Sequence, residues 1–166
     1  EMIRANDPSL KSWVAVSADS EFPIQNLPFG IVQLPGKPPR LASAIGDFVI
    51  DLYRLWELGL LSGLDLTRDC LENRYLNDFI GLGKSTTRAV RDRLSELLDA
   101  EVTRWNSREW RDQFLHPKTE VELLLPVKVT DYTDFYSSIE HATNVGTMFR
   151  GPENALMPNW RHLPVG

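Results

Sequence analysis

AIGDFVIDL, residues 44–52, is the stretch on which the fold class turns. Ile45, Phe48, Val49 and Ile50 are β-forming, and Gly46-Asp47 sits between them as a two-residue hairpin loop. Working outward, WVAV (13–16) and GIVQL (30–34) are further short β-rich runs. FPIQNLPFG (22–30) and PGKPPRL (35–41) between them carry the Pro, Gly and Asn of turns. Residues 13–52 therefore read as a small β-unit with the makings of a barrel.

The period then changes. Leu66, Leu71, Tyr75, Leu76 and Phe79 fall near helical spacing, with Gly81 and Gly83 after them. A clearer helix follows, with Ser85, Thr86 or Thr87 as its cap. Val90, Leu94, Leu97, Leu98 and Val102 form its apolar face. A weaker pattern holds Trp105, Trp110 and Phe114, and His116-Pro117 ends it. VELLLPVKV (121–129) is strand-like again, with Pro126 at a domain join. The fold class is α+β. EMIRANDPSLK (1–11) is polar and aperiodic and reads as an extension.

Composition narrows the function. The chain has 166 residues, 42% hydrophobic and 25% charged, which suits one globular domain or one plus part of another. A net charge of -5 argues against nucleic acid as a partner. No apolar run approaches the roughly 20 residues that span a bilayer, and no signal segment opens the chain. The lone Cys70 cannot close an internal disulfide or build a Cys-based zinc site, so a reducing, cytoplasmic setting is expected.

Chemistry concentrates in DYTDFYSSIEHATNVGTMFR, residues 131–150. If YTDFY is extended, Tyr132, Asp134 and Tyr136 share one face. Ser137 with Glu140 matches a capping box, and a helix from about Ser138 puts His141 in its first turn. The positive end of that helix disfavours imidazolium, and a neutral imidazole can take a proton from water. Arg150 falls towards the other end of the helix. Each residue also has an ordinary reading: Asp134 a turn cap, Tyr136 a strand aromatic, His141 a backbone hydrogen-bonder, Arg150 a helix-end charge. Glu120 and Glu122 place two carboxylates two residues apart, a possible cation pair that reads better as a solvated strand face.

These residues resemble the fumarylacetoacetase family. The resemblance is collinear from about Ser12, through SEFPIQNLPFGIV, AIGDFVIDL, LNDFIGLG and DYTDFYSSIEHATNVGTMFR to ENALMPNWRHLPVG. It implies an N-terminal domain, residues 12–127, with an SH3-like partial β-barrel and helices. Residues 128–166 would begin a catalytic β-roll. It places Asp134 at a carboxylate ligand of calcium or magnesium, Tyr136 and Arg150 at substrate contacts, and His141 at the base that activates water. Glu120 and Glu122 match none of the family's metal ligands.

The implied reaction is hydrolysis of the carbon–carbon bond of fumarylacetoacetate to fumarate and acetoacetate, in tyrosine and phenylalanine catabolism. The implied assembly is a homodimer. An unbroken helix would separate His141 and Arg150 by about 13 Å along its axis, so either the helix ends near Gly146 or Arg150 reaches back. A cation such as calcium takes six to eight oxygens and Asp134 supplies at most two. The chain is therefore expected to hold one side of a site that a C-terminal part of the same enzyme completes, and to be inactive alone. Two other readings are a non-catalytic assembly domain, prompted by the aromatic segment around Trp105 and Trp110, and hydrolysis of another β-dicarbonyl such as an acylpyruvate.

Overall fold

A computed structural model describes residues 4–163. One unit runs to Lys128 and a second starts at Val129.

The first unit is built on five antiparallel strands: β1 (Phe29–Gln33), β2 (Arg40–Ile45), β3 (Phe48–Asp51), β4 (Leu115–Pro117) and β5 (Glu122–Leu124). Their order across the sheet is β4-β3-β2-β1-β5. The hairpin expected at 44–52 is present, with Ile45 opposite Phe48. Gly46 takes a φ of 53° and Asp47 does not turn positive, which is the II′ requirement. The outermost strands β4 and β5 are joined only through Lys118–Val121, and Lys118–Glu120 is wound into a 3-10 turn. A flat sheet of this size would hold its edges roughly 19 Å apart, while the link reaches about 17 Å even fully extended. The sheet therefore curls into a half-barrel.

Alternation along the strands covers both sheet faces. Ile31, Leu41, Ile45 and Ile50 enter the main core, while Val32, Ala42 and Val49 pack separately with Val121. Helices α1 (Leu52–Glu57), α2 (Arg68–Leu71), α3 (Asn77–Gly81), α4 (Gly83–Leu98) and α5 (Arg108–Phe114) add to the first unit's core, and loop residues such as Val14, Ile24, Leu27 and Leu61 enter it too. Val90, Leu94 and Leu98 of α4 are fully buried and Leu97 packs beside them, as the helical period predicts; Val102 is not on that face, since α4 ends at Leu98 and Val102 packs on the core from the chain beyond it. Trp105 and Trp110 meet edge to face at 4.8 Å against the same core. Burial pushes the Cys70 thiol up to about 11, which leaves it a core residue and not a nucleophile.

Several expectations are corrected. WVAV forms no strand, because its backbone is drawn onto the end of α4. The Trp13 amide donates to Leu98 O (3.1 Å) and its indole N–H to Leu97 O (2.8 Å). The pattern over 66–79 is two short helices. Asn73 breaks it by accepting from the Tyr75 amide and donating to Asp69 O and to the Asp78 carboxylate. Ser85, Thr86 and Thr87 lie inside α4, which has no side-chain cap; the Thr87 hydroxyl bonds back to Gly83 O. Helix α5 stops at Phe114, and His116 and Pro117 lie on β4. Leu52 opens a helix because Asp51 caps it, accepting the Arg54 amide at 3.0 Å. Glu120 and Glu122 do not share a strand face, since Glu120 ends the 3-10 turn and Glu122 starts β5. Within the sequence's first eleven residues, Arg4–Asn6 form a 3-10 turn that buries Ala5, and Arg4 pairs with Asp99 at 2.7 Å. No helix among the described residues is long and apolar enough to cross a membrane.

Candidate functional site

The second unit carries the stretch 131–150. Residues 131–138 form neither helix nor strand, so the supposed extended strand is not made. The chain instead bends tightly at Tyr136, where the Ser137 amide donates to Phe135 O at 3.1 Å. Helix α6 (Ile139–Arg150) begins one residue later than a cap at Ser137 would place it. Ser138 is the cap: its hydroxyl oxygen accepts the His141 amide at 3.3 Å and its O–H donates to Glu140 at 2.9 Å. Bonds from Glu140's own amide and from Ser138 hold the Glu140 carboxyl below the usual range.

His141 therefore stands in the first turn, as expected, with its main chain fixed and its imidazole exposed. The half-buried Tyr136 ring lies 5.2 Å from the imidazole, centre to centre, tilted by 35°. Asp134 is exposed in the irregular segment and does not line the cavity described below.

Helix α6 does not end at Gly146. It runs unbroken to Arg150 and is closed by Gly151, whose φ is 78° and whose amide donates to Thr147 O at 3.0 Å. Nor does Arg150 reach back. Its Nε donates to Asn154 O at 3.1 Å and its Nη2 to Ala155 O at 2.9 Å. The guanidinium straps the segment after the helix onto the helix. A cavity of about 320 Å³ results, lined by Tyr136, Gly146, Phe149, Arg150, Ala155 and Trp160 among others. Tyr136 thus lies beside His141 and shares the cavity wall with Arg150, while His141 does not line the cavity and stands about 13 Å from Arg150 along the helix axis.

Sequence reasoning missed Gly146 and Trp160 as parts of this cavity. Gly146 is buried against the returning chain, and a Cβ there would collide with the Ala155 carbonyl. An isolated Gly inside a helical pattern was the available signal. Gly146→Ala ought to stabilise α6 by about 1 kcal/mol on propensity alone, but the collision reverses the sign. We expect a net loss of about 1–3 kcal/mol in the second unit, read as lost amide protection at residues 146–155 with the first unit's protection unchanged. A variant as protected as wild type would refute the close approach.

The donor set does not complete a calcium or magnesium shell. Among the described residues no three His, Cys, Asp or Glu side chains gather as a metal site, and a lone exposed carboxylate does not hold such a cation.

The profile of the family described as Fumarylacetoacetase N-terminal matches residues 25–126. The chain belongs to the fumarylacetoacetase family. It is 48% identical over 159 residues to the fumarylacetoacetase of Dictyostelium discoideum, covering 95% of this chain and 37% of that protein. It is 44% identical to those of Mus musculus and Homo sapiens, each covering 93% of this chain and 38% of the relative. The chain thus spans a little over a third of these fumarylacetoacetases, and the shared region takes in its N-terminal unit and nearly all of its length.

Proposed function

We propose that the chain provides the N-terminal portion of a fumarylacetoacetase, with an SH3-like half-barrel domain followed by the first elements of a catalytic β-roll. The complete polypeptide hydrolyses fumarylacetoacetate to fumarate and acetoacetate. The observation that carries this reading is the 41–48% identity to fumarylacetoacetases over nearly all the chain's length, and the Tyr136 ring beside His141 agrees with it.

His141, on a capped helix start and open to solvent, removes a proton from water as the oxygen attacks the carbonyl carbon next to the scissile bond. The carbon–carbon bond breaks, its electron pair leaves on the acetoacetate carbon as an enolate, and that carbon takes the proton from the imidazolium, which returns His141 to its neutral form. Arg150 has two N–H groups engaged by Asn154 and Ala155, and the remaining ones suit a substrate carboxylate. Tyr136 contacts substrate from the cavity wall. Asp134 would give one ligand to a calcium or magnesium ion, with the other ligands coming from the polypeptide that makes up the rest of the relatives' length. That ion supplies polarisation of the diketone oxygens. A homodimer is the assembly proposed for the complete enzyme.

The test is an assay of fumarylacetoacetate loss by this chain joined to a C-terminal portion of fumarylacetoacetase length, with and without magnesium or calcium. Cation-dependent cleavage by the joined protein, and none by residues 1–166, is expected. Absence of cleavage by a folded, cation-loaded joined protein would overturn the reading.

A further inference from the structure

We infer that Tyr136 positions the His141 imidazole through its ring, separately from any contact its hydroxyl makes with substrate. His141 projects from the first turn of α6, where Ser138 holds its main-chain amide, and among the described residues its imidazole makes no hydrogen bond. Nothing in that bond sets the side-chain torsions of an exposed imidazole, which would then sample several rotamers. The Tyr136 ring is the one aromatic partner found for it among the described residues, 5.2 Å away and tilted 35°.

Tyr136 is held in turn from two sides. The tight turn between Phe135 O and the Ser137 amide fixes its main chain, and its half-buried ring forms part of the wall of the cavity beside Gly146 and Ala155. The ring therefore carries the order of the α6–Ala155 packing to a side chain that lacks its own anchor. A tilted ring contact at this distance flanks the imidazole on one side while the residue stays exposed to water. Orientation of a base matters steeply, since a displacement near 1 Å can cost about a hundredfold in rate.

The functional half of this inference rests on the hydrolase reading; the geometric half does not. The first experiment needs no substitution. In residues 1–166, nuclear Overhauser contacts between the Tyr136 ring protons and His141 Hδ2 or Hε1 are expected, and their absence overturns the inference. Tyr136→Phe should keep these contacts, whereas Tyr136→Leu should move the imidazole proton resonances by about 0.2 ppm through loss of the ring current. Unmoved resonances in a folded Leu variant would also overturn it.

In the joined enzyme, Tyr136→Phe should raise KM with kcat within about threefold, and Tyr136→Leu should lower kcat between tenfold and a hundredfold. Equal kcat values for the two variants would assign the residue to substrate contact alone and defeat the positioning role. Ring contacts without cleavage would count against the hydrolase reading only. Cleavage without ring contacts would count against Tyr136 only.

Discussion

Asp51→Ala should cost the first unit about 3–5 kcal/mol, the loss seen when one partner of a buried ion pair is removed. Asp51 is 1% exposed and Arg40 is 4% exposed. One carboxylate oxygen meets Arg40 Nη1 at 3.1 Å, and the other accepts the Arg54 amide at the start of α1. Alanine therefore takes the nearest carboxylate from a buried guanidinium, leaving it the Pro38 carbonyl at 3.3 Å and a longer pair with Glu72, and uncaps a helix as well. Glu72 lies 3.6 Å from Arg40 Nη2, and the Arg40 guanidinium sits over the Tyr53 ring at 4.9 Å; neither replaces the lost pair. Domains of this size carry about 5–15 kcal/mol in all, so the urea midpoint should drop sharply and the protein should be poorly folded at 37 °C.

Two companions separate the causes. Asp51→Asn keeps a good cap and loses only the charge, so it should lie between wild type and Ala. Asp51→Leu combined with Arg40→Met removes both charges and should recover much of the stability. A loss below about 1 kcal/mol for Asp51→Ala would mean the pair is solvated and the account of the half-barrel's second face is wrong.

His141→Ala in the joined enzyme should lower kcat by about a hundredfold to ten-thousandfold, the usual contribution of a positioned general base. That is roughly 3–5.5 kcal/mol of activation free energy. KM should change little, because in the proposed reaction the imidazole acts on water while Arg150 and Tyr136 hold the substrate. Folding should survive intact: the side chain is exposed, the Ser138 cap bonds the main-chain amide, and Ala favours the helix. Circular dichroism and melting temperature should match wild type, so the kinetic loss can be read as chemistry. Activity within threefold of wild type would remove His141 from the role of base and leave the site without one.

Much of this protein could be read before its structure. The hairpin with Gly46-Asp47 at its turn, the α4 stripe of Val90, Leu94 and Leu98, and the placing of His141 in the first turn of α6 all follow from neighbours in sequence. The resemblance at 131–150 reached the family for the same reason, since a dense local pattern survives where longer relationships do not. The misreadings share a different origin. WVAV has the residues of a strand, yet its amide and indole are taken by carbonyls more than eighty residues away. The 66–79 pattern has the period of one helix, yet the Asn73 side chain offers the backbone a competing partner.

What residue order alone settled was short-range: the place of the hairpin turn, the apolar stripe of α4, the start of α6 to within one residue, and lineage, because each depends on atoms within a few residues of one another. Three-dimensional packing settled the rest. The curl of the sheet depends on a short link between its two edges. Arg150 is a strap towards Asn154 and Ala155 and does not reach back to His141, and Gly146 is required where Ala would otherwise serve better. For Arg150 and Gly146 the deciding contact is an approach near the length of a hydrogen bond, about 3 Å, and no window of sequence shows which groups the fold will bring that close.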